Sequence, residues 1–292
     1  MADGHEIWQL GRLLTTTANF LGQKGSSTPR LDAELLLAKV LSMSKVQLYV
    51  NFEREMSQAE LGEYRELVRR RAKHEPVAYI LGQKEFYGLP FKTTPAALIP
   101  RPETEHLVDE AVRLAKELWP GGEPVRIADI GCGTGAIGLA LAHTLASAQV
   151  AAVDISPAAL TLARENAASL NLSGRAEFYE GDLLAPLQGR SFHLICANLP
   201  YIPTAEMPAL MPDVGEHEPH LALDGGPAGL SPIEKLLKSA PDYLESQGRV
   251  LLEIWPGSLG ELEDMAGKLG FALDNMLRDL AGHPRIVVFN RA

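Results

Sequence analysis

The segment DIGCGTG, residues 129–135, decides the fold of this chain. It completes the apolar run 125–130, and a second apolar stretch, 136–146, follows it directly. Glycines at such a junction let the backbone turn tightly and let a ligand approach without a Cβ in the way. The segment therefore predicts a ligand-binding loop between a buried strand and a helix.

Strands and helices alternate along the chain from this segment onward, with predicted helices that include residues 136–146 and 157–171. The predicted strands are Val125–Ile130, Gln149–Asp154, Ala176–Glu180, Phe192–Ala197, Arg249–Trp255, Phe271–Asn275 and Arg285–Phe289. Such alternation predicts a parallel sheet with helices on both faces. Seven strands that end in an antiparallel hairpin are typical of the Rossmann-like class I methyltransferase domain, so we expect an α/β fold of that class.

The chain before residue 85 has a different texture, without strand-like alternation. One predicted helix carries Leu31, Leu35 and Leu36 at helical spacing, and another spans residues 58–74. Its basic run, residues 69–71, is expected to be a solvated helix face. This part of the chain predicts a small helical bundle.

Aromatic residues around Gly-Leu-Pro in the stretch 85–91 indicate a short hairpin. The sequence thus predicts a helical substrate-docking domain at 1–84, a hairpin linker at 85–100 and a catalytic domain at 101–292. Pro102 suits the first turn of the helix that opens the last domain.

Composition narrows the classes of protein. The net charge is -10, from 27 Lys+Arg against 37 Asp+Glu, which disfavours a nucleic-acid partner because such proteins usually present a basic face. Cys132 and Cys196 stand in apolar runs and are expected to be free, buried thiols of a reducing compartment. No signal peptide, membrane span or metal-ligand spacing is recognised, so a cytoplasmic enzyme without a metal is expected.

The acidic and glycine residues of three successive strand ends predict a nucleoside cofactor. An acid after the second strand can accept hydrogen bonds from ribose hydroxyls, and one after the third can accept from an adenine amino group. Residues 133–138 also fit the dinucleotide fingerprint, but an acid and a glycine ahead of them suit a charged aminoacyl tail better than a pyrophosphate. We therefore expect S-adenosylmethionine, bound by Asp129, Gly131, Gly133, Gly135, Asp154 and Asp182.

The fourth strand ends in the motif Asn198-Leu199-Pro200-Tyr201. Ligands of open α/β sheets lie outside the carboxyl ends of the strands. The Asn198 side-chain oxygen and the Leu199 carbonyl, stiffened by Pro200, can each accept a hydrogen bond from a planar NH2 group, on which Tyr201 can stack. The motif predicts methylation of a flat amide or amino nitrogen, held in position without a strong base.

With these motifs the chain resembles the PrmC or HemK family of protein-(glutamine-N5) methyltransferases, over nearly its whole length. The cofactor motif is shared by many methyltransferases, whereas the Arg-Pro-Glu-Thr-Glu segment within 98–105 and the Glu-Pro segment at 218–219 are more specific. The other similar segments are 30–38, 86–89, 220–230 and 279–285.

The resemblance implies methylation of the glutamine of the Gly-Gly-Gln motif in class I peptide chain release factors. It implies that Asn198, Pro200 and Tyr201 are catalytic and that Leu199 joins them in binding the substrate, while Arg101 and Glu103 orient the cofactor loop. The family motif is Asn-Pro-Pro-Tyr, and Leu199 replaces its first proline.

Asn-Leu-Pro-Tyr is similar instead to the ribosomal RNA adenine dimethyltransferases. Four alternatives therefore stand beside the release factor hypothesis: a glutamine methyltransferase of a ribosomal protein, an RNA or DNA adenine-N6 methyltransferase, a nicotinamide dehydrogenase, and a silent cofactor-binding module. The RNA enzymes usually carry their extra domain after the catalytic one, whereas here it comes first. That order, with the acidic composition, favours a protein substrate.

Overall fold

The computed structural model of the protein describes residues 8–121 and 123–292. Its helices are α1 (Leu10–Gln23), α2 (Pro29–Leu41), α3 (Lys45–Val50), α4 (Gln58–Arg71), α5 (Val77–Leu81), α6 (Glu105–Leu118), α7 (Ala136–Thr144), α8 (Pro157–Ser169), α9 (Pro212–Gly215), α10 (Ser231–Ser239) and α11 (Leu259–Lys268). Its strands are β1 (Gln83–Phe86), β2 (Leu89–Lys92), β3 (Val125–Ile130), β4 (Ala148–Asp154), β5 (Ala176–Glu180), β6 (Phe192–Ala197), β7 (Leu244–Glu253), β8 (Phe271–Arg278) and β9 (Pro284–Arg291).

Seven of these strands form one sheet in the order β5-β4-β3-β6-β7-β9-β8. The first five run parallel, and β9 is antiparallel to both β7 and β8. The predicted fold class is confirmed. Strand order reverses beside β3, so that the carboxyl ends of β3, β4 and β6 open on one crevice, where ligands of such sheets bind.

Each central strand sends alternate side chains to opposite faces of the sheet. Ile127 and Leu194 point to the face covered by α6, α7 and α8, whereas Ala128 and Ile195 point to the face covered by α10 and α11. Both faces are buried, which is why these strands are continuous apolar runs rather than alternating ones. The sheet is thereby a rigid support for the loops at its carboxyl edge.

A two-stranded hairpin precedes the sheet. In it Phe86 pairs with Leu89 across the turn Tyr87-Gly88, whose φ angles of 53° and 72° match the two-residue turn favoured by hairpin twist. Phe86 and Phe91 pack edge to face, with 6.0 Å between ring centroids. The hairpin predicted in this stretch is therefore present, and its service as a domain linker stays a prediction.

The chain divides into two compact units, and residues 8–82 with 212–217 form the described part of the first. The second comprises residues 83–211 and 218–292, of which residue 122 is not described. Residues 1–7 of the predicted helical domain lie outside the described residues. The first unit surrounds its own core of leucines from α1, α2 and α4.

Helix α2 forms where the sequence predicted a helix, but its buried face includes acids. Leu31 is 40% exposed, whereas Asp32 and Glu34 are buried. Nε of Arg71 donates to the Asp32 carboxylate at 2.7 Å, and Arg30 pairs with Glu34 at the same distance. The expectation that the basic run 69–71 is a solvated face is therefore wrong for Arg71, which is buried.

The reason lies in pairing. A buried charge is tolerated only where a partner and hydrogen bonds replace water. Asp32 also accepts from the hydroxyls of Ser26 and Thr28, so its carboxylate is fully engaged. None of the described helices is long and apolar enough to cross a membrane.

Candidate active site

The loop after β3 forms one wall of the site. Gly131 has a φ of 71°, in the left-handed region that favours glycine. A Cβ at this position would lie 3.0 Å from Cδ2 of Leu199 on the neighbouring loop. The glycine therefore allows the loops after β3 and β6 to approach each other. Gly133 also lines the cavity, whereas Gly135, the residue directly before α7, does not.

Asp154 ends β4 and fastens this loop. Its Oδ2 accepts a hydrogen bond from the N–H of Gly133 at 2.8 Å, and its Oδ1 accepts from the N–H of Ser156 at 2.9 Å. Burial raises the pKa of Asp154, and these two bonds partly oppose that effect. A carboxylate has about four acceptor positions, so Asp154 keeps capacity for a ligand in the cavity that it lines.

Asp129 lies behind the loop instead of on the cavity wall. It is fully buried, and its Oδ2 accepts from the N–H of Gly138 in the first turns of α7 at 2.8 Å. Among the described residues its Oδ1 has no hydrogen-bond partner. Burial raises the pKa of Asp129 to about 7. Direct contact of Asp129 with the cofactor stays a prediction.

Asp182 lies two residues beyond the end of β5 and is exposed on the cavity wall. Because β5 pairs with β4, in a register that sets Glu180 opposite Asp154, the two predicted nucleoside acids line the same cavity. The structure thus brings together the acids of neighbouring strand ends, as the sequence predicted.

The Asn-Leu-Pro-Tyr loop begins where β6 ends and forms the opposite wall. Asn198, Leu199 and Pro200 line the cavity. The Nδ2 of Asn198 donates to Oε2 of Glu253 at 2.9 Å and approaches the Thr104 hydroxyl at 3.2 Å. Both contacts use the NH2 end of the amide. The amide is therefore anchored from beneath the loop.

Tyr201 is not among the lining residues of the cavity. Its hydroxyl donates to Oε1 of Glu253 at 3.0 Å, and burial raises its pKa, helped by the nearby Glu253 carboxylate. Its ring lies 6.4 Å from that of Trp255, which is 37% exposed. Stacking of Tyr201 on a flat substrate stays a prediction, and the two rings form an aromatic step beside the loop.

The segment after the target motif makes room for this loop. A Cβ on Gly229 would lie 2.2 Å from the carbonyl oxygen of Tyr201, so only glycine fits there. The N–H of Gly225 donates to the carbonyl of Ile202 at 2.8 Å. Two glycines of the segment that resembled the family thus fix the backbone of the target loop from behind.

Arg101 lines the cavity and pairs with Glu218, whose Oε2 also accepts from the N–H of Ile99 at 3.1 Å. Glu218 is buried, so its carboxylate ties the stretch 99–101 to the chain after α9. Glu103 is exposed and does not line the cavity. The sequence grouped Arg101 with Glu103, and the structure separates their surroundings.

Two site residues escaped the sequence analysis, Thr104 and Glu253. Both are buried, and the Thr104 hydroxyl donates to Oε2 of Glu253. Glu253 is the last residue of a predicted apolar strand, so a lone acid at a carboxyl strand end was a usable signal. Its role depended on contacts with residues far away in the chain, which no periodicity reveals.

These elements enclose a cavity of about 460 Å³. Its volume is within the range of small-molecule sites, roughly 300–1,000 Å³. Eight of the predicted site residues line it: Arg101, Gly131, Gly133, Asp154, Asp182, Asn198, Leu199 and Pro200. The glycine-lined loop and the two acids are suited to a nucleoside with an aminoacyl tail. Within the part of the chain that the structure describes, no cluster of His, Cys, Asp or Glu could hold a metal ion.

Comparisons with known proteins agree with this site. A family model for the PrmC N-terminal domain matches residues 12–82, and a methyltransferase domain model matches residues 127–217. The release factor glutamine methyltransferase of Geobacter sulfurreducens is 42% identical over 287 residues, 98% of either chain. That of Moorella thermoacetica is 43% identical over 266 residues, 91% of this chain and 92% of the other.

The chain belongs to the release factor glutamine methyltransferase family. It is accordingly an S-adenosylmethionine-dependent methyltransferase, and the family predicted from its motifs is confirmed. Membership in this family does not favour the nicotinamide dehydrogenase or the silent binding module.

Solved structures share the fold alone. The ribosomal protein L11 methylase of Lactobacillus delbrueckii aligns with a TM-score of 0.50 at 23% identity, over 68% of this chain and 83% of the other. A methyltransferase from Pyrococcus furiosus aligns with the same TM-score at 20% identity, over 70% and 90%. The shared part is consistent with a class I methyltransferase domain.

Proposed function

We propose that the enzyme methylates the side-chain amide nitrogen, N5, of the glutamine in the Gly-Gly-Gln motif of class I peptide chain release factors. The observation that carries this proposal is the similarity over 98% of the chain to a relative named for that activity. The cytoplasm is its proposed compartment, in keeping with two free, buried cysteines.

The proposed cofactor contacts follow from the cavity walls. Asp154 accepts from the ribose hydroxyls and Asp182 from the adenine amino group, while the loop of Gly131 and Gly133 accommodates the aminoacyl tail. Asp129 supports that loop through α7. Arg101 belongs to the wall nearest the target motif, and Glu103 shapes the helix start beside it.

The proposed chemistry rests on position. The bound cofactor supplies a methyl group on a sulfonium centre, which is electrophilic without assistance. The Oδ1 of Asn198 accepts one hydrogen of the substrate NH2, and the Leu199 carbonyl, stiffened by Pro200, accepts the other. The nitrogen gains the methyl group and loses one proton to solvent, so the product amide is neutral. Both acceptors stabilise the positive charge that builds on nitrogen as the new bond forms.

A protein acceptor must be held by more than its Gly-Gly-Gln tripeptide, because ordering so flexible a segment costs conformational entropy at each residue. We assign the second contact to the helical unit. In α3, Val46 and Val50 are 72% and 79% exposed, and Tyr49 lies beside them. An exposed apolar face of this kind is typical of an interaction site.

Removal of the helical unit is a poor test of this docking role. Residues 212–217 belong to that unit, where Arg71 contacts Asp213 at 3.4 Å and His217 contacts the Lys73 carbonyl at 3.1 Å. A truncated chain would lose these partners as well as the docking surface. Paired Val46→Ser and Val50→Ser substitutions in the full chain keep them, and should raise KM for the release factor while the cofactor Kd stays unchanged.

The proposal is tested by radiolabelled methyl transfer with three acceptors in parallel: an intact release factor, ribosomal proteins and ribosomal RNA. Incorporation into the release factor, abolished when its Gly-Gly-Gln glutamine is replaced by alanine, is the expected result. Labelling of ribosomal protein or RNA alone would replace the proposal with one of those substrates, and RNA labelling would make Leu199 the decisive residue of the motif.

A further inference from the structure

The carboxyl group of Glu253 lies beneath the Asn-Leu-Pro-Tyr loop and holds both of its ends. Its Oε2 accepts from the Asn198 amide at 2.9 Å and from the Thr104 hydroxyl. Its Oε1 accepts from the Tyr201 hydroxyl at 3.0 Å. The residue is 2% exposed and does not line the cavity, so it acts on a ligand only through these neighbours.

An ionised carboxyl group determines which end of an amide faces it. It can only accept hydrogen bonds, whereas the Asn198 amide has a donor NH2 at one end and an acceptor oxygen at the other. These ends are nearly equal in size, so shape alone does not fix the direction of the side chain. Beside Glu253 the NH2 end is attracted and the oxygen end is repelled.

The Oδ1 of Asn198 is consequently the end left for a ligand. Within residues 8–121 and 123–292, the hydrogen bonds of the Asn198 side chain are both made by its Nδ2. A substrate NH2 group needs an acceptor at this place, and a reversed amide would present a donor to a donor. The direction of the Asn198 amide thus decides whether the site can hold its proposed substrate.

We infer that Glu253 is a positioning residue, which fixes the Asn198 amide with its Oδ1 as the hydrogen-bond acceptor for the substrate nitrogen. The inference rests on the proposed function, in which that oxygen receives the substrate NH2. Thr104 and Tyr201 complete the arrangement, because their hydroxyls hold the carboxyl group in its place.

Protonation of Glu253 would undo this arrangement, since a neutral carboxyl group also donates and would attract the Asn198 oxygen. Burial raises the pKa of Glu253, hydrogen bonds from Thr104 and Tyr201 lower it, Arg285 on β9 lowers it, and Glu103 raises it. The active form is the ionised one. Turnover should therefore fall as the pH drops through the raised pKa of this residue.

The primary test compares Glu253→Gln with Glu245→Gln. Glu245 lies in the same strand and pairs with Ser191 and Arg126 on the protein surface, so it is a matched control. With an intact release factor as acceptor, Glu253→Gln should lower kcat by about 100-fold, as misplacement of a reacting group does. It should leave the cofactor Kd unchanged and remove the acid limb of the kcat profile. Glu245→Gln should behave as the parent enzyme does.

A second pair of variants keeps the test valid if Glu253→Gln does not fold. Thr104→Val removes a hydroxyl that lowers the pKa of Glu253, so the acid limb should move to higher pH. Thr104→Ser retains the hydroxyl and should leave the limb in place. An identical limb in both variants would overturn the inference.

A readout without turnover uses the side-chain amide signal of Asn198 in a 1H–15N correlation spectrum, identified by its loss in Asn198→Ala. That signal should titrate with the same midpoint as the acid limb, and should not titrate in Glu253→Gln. Full kcat in Glu253→Gln, together with an inactive Asn198→Ala, would overturn the role of Glu253 alone. Full kcat in Asn198→Ala would overturn the proposed use of Asn198 itself.

Discussion

The backbone N–H of Gly133 donates a hydrogen bond to Oδ2 of Asp154 at 2.8 Å. This bond joins the glycine-rich loop after β3 to the carboxyl end of β4, across 21 positions of the chain. The acid predicted to receive the ribose therefore also sets the shape of the loop predicted to receive the aminoacyl tail. Both halves of the cofactor site depend on one carboxylate.

Replacement of this carboxylate should weaken the cofactor site. Hydrogen bonds to charged groups are each worth roughly 1.5–3 kcal/mol, so Asp154→Ala should raise the Kd for S-adenosylmethionine by about 10- to 100-fold. Isothermal titration measures this, with the exposed Asp264→Ala in α11 as a matched control. The parent protein should show no binding of NAD. NAD binding without S-adenosylmethionine binding would contradict the assignment of the loop.

Gly131→Ala should disturb the same site from the other side. A side chain at its φ of 71° costs about 1–2 kcal/mol, and the new methyl group would lie 3.0 Å from Leu199. We expect a lower Tm and a weaker cofactor complex. Gly260→Ala, in the open first turn of α11, is the matched control and should not lower the Tm. A parent-like Gly131→Ala would mean that the two loops need not approach so closely.

Asn198→Ala should lower the rate of methyl transfer by about 100- to 1000-fold, as loss of one preorganised polar contact at a reacting centre does. The cofactor Kd should stay within about threefold of the parent value, because the residue faces the acceptor. Steady-state kinetics with a release factor and titration with the cofactor measure the two effects.

Leu199→Pro restores the family motif and tests the role of the carbonyl at that position. Leu199 is buried, so the substitution should lower stability by about 1–2 kcal/mol through lost packing. The carbonyl remains, and kcat should stay within about threefold. A large loss of kcat in a folded Leu199→Pro protein would show that the leucine side chain, and not the carbonyl, is what the site uses.

Asp129 gives the cofactor-free protein a specific dependence of stability on pH. Burial raises its pKa from 3.8 to about 7, so the folded state holds the proton more tightly than the unfolded state does. Its stabilisation is complete below pH 3.8 and is lost as the pH rises through about 7. The loss amounts to roughly 4 kcal/mol. Asp129→Asn should remove this part of the decline in Tm between pH 5 and 8, whereas the exposed Asp264→Asn should retain it.

The sheet was predictable because the burial of parallel strands on both faces leaves continuous apolar runs. The bounds of β3, β5 and β6 match the prediction residue for residue. Strand β7 begins at Leu244, five residues before the predicted start, because its first residues are polar and partly exposed. Local pattern finds the centre of a sheet better than its frayed or exposed ends.

The supporting residues of the site were not predictable in the same way. The carboxyl group of Glu253 meets a hydroxyl 149 positions away, and that of Asp32 meets a guanidinium 39 positions away. Burial of either acid is stable only with those partners, and sequence periodicity carries no information on which distant residues meet. Trp255 was expected to pack in the interior, yet it stands partly exposed beside Tyr201.

The most direct test of the account is mass spectrometry of a class I release factor after incubation with the full-length enzyme and S-adenosylmethionine. Fragmentation should place one added methyl group on the side-chain amide of the glutamine in Gly-Gly-Gln, and the Asn198→Ala enzyme should leave that peptide unmodified. A methyl group on another residue, or an unmodified release factor in the presence of an enzyme that methylates ribosomal protein or RNA, would contradict the account.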